Sequence, residues 1–319
     1  RPVVLQNGKY VAQDVAHRAA SLSARELASW QPGLGSADAD LLDELPTLVS
    51  RSRDLTRNHG IAAGAVQTLV DNVVGTGLRL VATPDFRLLG KTKEWADEWA
   101  TTVEAHWRVW AENTWCDASR SLTFAGMTAQ IFRSGIVNGE ALALPLWLPE
   151  RGMPFASVIQ LVEPDRLSNP NGTADSRFLR GGIEIDRYGA PIAYWVRKTH
   201  PGDSRVGMTV AAEEWQRVPA QTSFGRLQVI HVHDKERTGQ SRGKPLMTSI
   251  MPMFKMLDHY ERSELQAAIV NAMIAAFIET PLDAESISEM FGGSSENYLA
   301  ARNGWEVKLQ GGSIIPVFP

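Results

Sequence analysis

Two histidines one residue apart, His231-Val-His233, followed at once by Asp234, are the residues of this chain most suited to metal chemistry. On a strand, alternate side chains share a face, so both imidazoles would point the same way and could ligate a metal with Asp234. That would make the chain a metal-dependent hydrolase. No cysteine or other histidine lies nearby in sequence, and the plainer reading is a ladder of polar residues at a strand end. A second segment, Gly239-Gln-Ser-Arg-Gly-Lys-Pro245, approaches a phosphate loop. It is one residue short between the glycines, and Pro245 stands where a metal-binding Ser or Thr belongs. Gly75-Thr-Gly77 lacks the third glycine of a dinucleotide fingerprint and precedes an extended run instead of a helix. There is no Gly-x-Ser-x-Gly elbow. Cys116 reads as a buried packing thiol, and the Glu213-Glu214 pair as solvated surface. No constellation supports an enzyme; no catalytic residue, cofactor or metal is assigned.

Another kind of chemistry lies further on. Lys255, His259, Arg262 and Gln266 recur at helical spacing on one face of a long segment. Phe254, Leu257, Leu265, Ile269 and Ala272 mark another face, and 267–278 is an uncharged block that also holds Met273. The basic stripe is a solvated face, and the wall of a tunnel is one kind of solvated face. The segment is expected to begin near Lys244, with Pro245 in its first turn, and to kink or restart at Pro252, which cannot donate a backbone hydrogen bond. A long helix with a basic stripe, an apolar end and a built-in bend points to assembly rather than catalysis.

The elements that must position these residues follow from periodicity. Helices are expected over 41–58, with Pro46 in the first turn, and over 61–74, 90–112 and 122–137. In the third, Trp95, Trp99, Val103, Trp107 and Trp110 form a core-facing aromatic stripe, with a surface for a neighbouring subunit as the alternative. Strands are expected at 78–82, 140–148, 158–162, 182–185, 192–196 and 227–233, separated by Asn169-Pro-Asn-Gly172, Tyr188-Gly-Ala-Pro191 and Pro201-Gly-Asp203. A short helix over 284–291 and a hairpin of 304–310 with 313–318 end the reading. The fold class is mixed α+β.

The bulk numbers bound the partners. The chain has 319 residues, room for two or three cores. Its net charge of −4 argues against a protein that wraps nucleic acid, although not against one that lets DNA slide past. One cysteine excludes an internal disulfide. No apolar run reaches membrane-spanning length. The chain opens at Arg1 and stops at Pro319 just after a strand, so the natural protein is expected to be longer.

Several segments together resemble the portal proteins of tailed phages, the lambda-like family. The first is Arg51-Ser-Arg-Asp-Leu-Thr-Arg-Asn58, continuing to Leu80. The second is Gly135-Ile-Val-Asn-Gly-Glu140. The third is Leu161-Val-Glu-Pro-Asp-Arg-Leu167 with Gly181 to Val196. The fourth is Val229-Ile-His-Val-His233 with Gly239-Gln-Ser-Arg-Gly-Lys-Pro-Leu246 and 257–275. Their order and spacing carry the resemblance. It implies a dodecameric ring at the portal vertex of the virion capsid, assembled in the host cytoplasm. Double-stranded DNA would pass through it without sequence specificity in packaging and ejection. It further implies docking of the terminase large subunit and of a head-tail connector or adaptor, contact with major capsid and scaffolding proteins, and no membrane. Mapped here, an irregular segment covers 1–39, a wing with a β-rich part 40–240, a kinked stem helix 244–277, and a small α/β clip 278–319, truncated. The channel-facing candidates are Lys255, His259 and Arg262. The subunit-interface candidates are Phe254, Leu257, Leu265, Ile269, Ala272 and Met273. A phage adaptor module is the further alternative.

Overall fold

The computed structural model describes residues 4–6, 9–11, 17–21, 24–152, 154–203, 214–279 and 313–317. Strands β1 (Val4–Gln6) and β2 (Lys9–Val11) form a small antiparallel pair. Helix α1 (Ala37–Leu41) follows, capped by Ser36, whose hydroxyl accepts from the Ala39 amide. Helix α2 (Leu45–Asn58) carries Pro46 in its first turn, where no helical N–H is lost. Helix α3 (Gly60–Val73) comes next, then α4 (Lys93–Glu112) and α5 (Phe124–Asn138), the last two capped by Thr92 and Thr123.

Two antiparallel sheets occupy the second half. Strands β3 (Glu140–Trp147) and β4 (Ser157–Val162) belong to one, which runs β4-β3-β9, with β9 at Ile230–His233. The other runs β5-β6-β7-β8, built from Leu179–Arg180, Ile183–Ile185, Pro191–Arg197 and Trp215–Pro219. They share a core: Leu142, Leu144 and Val162 from the first sheet meet Ile183, Tyr194 and Val196 from the second. The first five residues of β3 are buried, as a strand covered on both faces requires.

A second core joins α2, α3 and α5 through Leu55, Ala62, Val66, Val70 and Ile136, and Met247 and Met251 enter it. Val66 is 2% exposed. Val66→Ala is expected to cost about 2 kcal/mol, two methyl groups of burial plus a cavity, read as a lower urea midpoint with unchanged slope.

Met251 opens helix α6 (Met251–Met273). It is shorter at both ends than the expected 244–277. Residues 246–250 form turns, so Pro252 sits in the first turn of α6 and causes no kink inside it. After Met273 the chain becomes strand β10 (Ile274–Glu279), which pairs in parallel with β11 (Ser313–Val317). Ile274, Phe277 and Ile278 are branched or aromatic residues that suit a strand. The expected hairpin partner 304–310 and helix 284–291 lie outside the described residues.

Two other expectations differ. Residues 78–82 form no strand: Leu78 and Val81 are 66% and 74% exposed, and the Ala82 amide donates to Glu104 rather than to a neighbouring strand. The aromatic stripe of α4 is only half covered. Trp107 and Trp110 pack on Phe124, whereas Trp99 is 42% exposed.

Candidate functional site

The strongest polar arrangement among the described residues lies under the root of α6, and it begins with a turn. Gly139 ends α5 in the left-handed conformation (φ 89°) and delivers Glu140 into the core at the start of β3. Glu140 is 1% exposed. Arg242 reaches it from the loop before α6. Its Nε lies 2.8 and 3.0 Å from the two carboxylate oxygens, and Nη2 also donates to Glu140. Nη1 donates to the carbonyls of Leu167 (2.9 Å) and Gly181 (2.7 Å), and Nη2 to that of Pro164 (3.1 Å). All five guanidinium N–H groups are thereby used. His231 Nε2 lies 2.8 Å from Glu140, and the Gly243 amide donates to it at 3.1 Å.

Burial pushes the Glu140 carboxyl upward in pKa. The Arg242 charge and the hydrogen bonds from His231 and Arg242 outweigh that and hold it down to about 2. Burial and the neighbouring His231 charge pull His233 down to about 4. Both folded values lie below the unfolded ones, so both groups stabilise the fold above their unfolded pKa, and that stability is lost in acid. Stability is expected to fall from about pH 6.5 as His233 is forced to protonate, and again below about pH 4.5 as Glu140 does. His233→Phe is expected to remove only the first phase of a pH series of urea melts.

The network extends outward. Ser134 Oγ donates to the Glu140 carbonyl, Asn138 donates to Ser134, and Arg53 Nε of α2 donates to Asn138 at 2.8 Å. On the other side, the Ser241 amide and hydroxyl donate to Asp38 of α1 at 2.7 and 2.8 Å, and Arg237 pairs with Asp40. The Leu246 amide donates to Ile136 in the last turn of α5. The loop entering α6 is therefore fastened to α1, α5, β3 and the loops at 164–167 and 181. The segment that resembled a phosphate loop does bind anions through its amides, but they are Asp38 and Glu140 of the same chain.

His231 and His233 do lie together, with ring centroids 4.2 Å apart. They do not form a metal group with Asp234. His231 Nε2 faces Glu140, and the Arg242 cation already sits on both oxygens of that carboxylate. The group whose ligand atoms do converge is Glu163, Asp165 and His200. Arg53 Nη2 stands 3.1 Å from Glu163 and pairs with Asp165. His200 Nδ1 accepts from the Gly202 amide at 2.9 Å, which assigns its proton to Nε2, facing Glu163 at 3.4 Å. A guanidinium and an N–H fill the place a metal would take.

On α6, Lys255 and Arg262 flank Asp258 at 3.6 and 3.0 Å, and His259 is bonded only to Ser263 one turn on. All three basic candidates are exposed. Leu265 and Ile269 are 65% and 58% exposed and Leu257 is 37% exposed. Phe254 instead turns inward, its ring edge-on to His59 at 5.1 Å. The side chains of Ala272 and Met273 lie outside the described residues.

Glu140 and Arg242 were not singled out as site residues in the sequence. The available signal was a charged residue opening the apolar run Glu140-Ala-Leu-Ala-Leu144 directly after Asn-Gly.

Glu140 and Arg242 are spent on internal structure, and they hold the root of a long helix whose outer part is exposed. The sequence matches the family described as phage portal protein, lambda family, over residues 23–319. The chain belongs to that family. It is 36% identical over 284 residues to portal protein B of Escherichia phage lambda and, at the same identity and length, to the portal protein of Escherichia phage N15. Each alignment covers 88% of this chain and 52% of the relative. A probable portal protein of Halomonas phage phiHAP-1 is 27% identical over 257 residues, covering 79% of this chain and 47% of the relative. The chain thus spans about half the length of the curated relatives it matches. The four segments quoted above converge here: Arg53, Glu140, Pro164 with Leu167, and His231 with Arg242 all belong to the one network.

Proposed function

We propose that this chain is the ring-forming part of a portal subunit: copies close around a channel at one capsid vertex, through which double-stranded DNA is packaged and ejected, with no catalysis of its own. In this reading residues 40–240 are the wing, α6 lies within the stem at 244–277, and 278–319 begins the clip, where the terminase large subunit and a head-tail connector would dock. Capsid and scaffolding proteins would surround the ring, in the host cytoplasm during assembly and in the virion afterwards.

The observation that carries the reading is the state of α6. Among the described side chains beyond Phe254, Leu265 and Ile269 are more than half exposed, and Leu257 and Val270 keep more than a third of their surface in water. A helix with such residues uncovered calls for a neighbour. Heterologous contacts between copies close into rings, and Leu257, Leu265 and Ile269, with Ala272 and Met273, are the proposed contact. Lys255, His259 and Arg262 then face the channel. Lys255 and Arg262 already flank Asp258, and α6 as a whole has no basic excess, which lets DNA pass without a tight grip on its phosphates. Particles assembled with Lys255→Glu and Arg262→Glu are expected to package DNA several-fold more slowly in a defined packaging reaction. An unchanged rate would remove these residues from the channel.

A further inference from the structure

A cavity of about 710 Å³ lies between the β5-β6-β7-β8 sheet and the loop that follows β9. Five of its lining residues are Arg or Lys and two are Asp or Glu, on a chain whose net charge is −4. Two of the cations, Arg180 and Arg237, are neutralised by Asp38 and Asp40 of α1. Both lining acids are also engaged. Glu236 pairs with Lys244, and Asp186 accepts amides of its own turn from Tyr188 and Ala190. Asp186 keeps its negative charge and acts on Arg187, while Lys235 and Arg177 have no ion-pair partner among the described residues. Arg177 and Arg187 lie over the rings of Phe178 and Tyr188 at 5.3 and 4.6 Å, which holds the guanidinium groups while leaving their N–H edges free.

The wall holds a further polar side chain without partners. Both ring nitrogens of His233 are buried and make no hydrogen bond. Tyr194 lines the same wall and is 4% exposed. Buried polar groups are nearly always satisfied, so an imidazole with neither nitrogen satisfied on the wall of a cationic cavity points to a ligand that completes it. A neutral imidazole offers one donor and one acceptor, and the phenol offers a donor.

We propose that this cavity binds a phosphate-bearing small molecule, its oxyanion held by Lys235, Arg177 and Arg187 at the mouth and by Tyr194 and His233 within. The size is that of small-molecule sites. Planar guanidinium forks match the oxygens of a phosphoryl group better than a lone carboxylate uses three cations. This inference is independent of the portal reading and uses none of the residues of α6.

The test is isothermal titration of the full chain with inorganic phosphate, pyrophosphate and ATP in separate experiments. At least one is expected to bind with a Kd of about 1 mM or tighter. Arg187→Gln and Lys235→Gln, both at exposed positions, are each expected to weaken binding about tenfold. Tyr194→Phe is expected to weaken it less. Tighter binding of ATP than of pyrophosphate would identify the ligand as a nucleotide; equal binding would assign the site to the phosphoryl groups alone. No binding of any of the three at about 10 mM, or binding that survives Arg187→Gln and Lys235→Gln together, would overturn the proposal.

Discussion

Arg242→Met is expected to lower the unfolding free energy by about 3–5 kcal/mol, the cost of leaving a buried charge without its partner. It strips Glu140 of its counter-charge and removes the Arg242 donor from the carbonyls of Leu167 and Gly181; the Pro164 carbonyl still accepts from the Leu167 amide at 3.0 Å. Glu140→Gln is expected to cost a similar amount, because it leaves the guanidinium charged in the same dry place. The two should not add. With both charges gone, the double variant avoids the unpaired-charge penalty, and it is expected to be more stable than the sum of the singles by at least 1–2 kcal/mol. It will not regain wild-type stability, since the Leu167 and Gly181 carbonyls still lack the Arg242 donor. Equilibrium urea unfolding of the four proteins measures this. The low-pH phase of the wild type should shrink in Glu140→Gln, leaving the part due to Asp117, which is also held down to about 2. Full additivity of the two substitutions would mean that the pair does not interact as described.

Gly139→Ala is expected to cost about as much, for a different reason. A Cβ at residue 139 would meet the Lys244 backbone at 2.2–2.6 Å, and its φ of 89° is strained for any side chain. A Cβ at Gly243 would meet the Gly139 carbonyl oxygen at 2.1 Å. The two glycines let two backbones cross where the turn after α5 meets the loop before α6, and neither obstacle is a side chain that could rotate away. About 3–5 kcal/mol is expected for Gly139→Ala, the sum of backbone strain and overpacking. Gly239→Ala is the matched control. Its φ is 84° but the space around it is open, so it should lose only about 1 kcal/mol. Limited proteolysis should then cut Gly139→Ala in the 235–250 loop well before wild type, and Gly239→Ala at nearly the wild-type rate.

These two effects also mark what was legible in the sequence. Helices α2 to α5 and most strands carry their own periodicity and turn residues, and they stand within a few residues of expectation. Strand β8 was missed because Trp215, Arg217 and Val218 show no clean alternation and the strand is held by pairing with β7. The helix limit at Met273 was missed because Ala-rich and Ile-rich runs serve helix and strand alike until a partner decides, and here β11 is that partner. Of the two outcomes expected at Pro252, a kink or a restart, the structure has the second: turns at 246–250 precede a helix that starts at Met251. The histidine pair was found, but its purpose was not. Whether His231 holds a metal or a carboxylate depends on Glu140, which lies 91 residues away in sequence. A separation of 102 residues hides Arg242 in the same way, since periodicity reports which face of an element is apolar and not which charges meet inside.

The central claim is that copies of this chain close into a ring with α6 facing the hole. Negative-stain electron microscopy of the natural protein tests it most directly, on a variant with Arg262→Cys tagged by a small gold cluster; the single native thiol, Cys116, is buried and should stay unlabelled. The account predicts closed rings with a central hole and gold around its inner edge. Rings with gold on the outer rim would contradict the channel assignment, and particles that never close would contradict the ring itself.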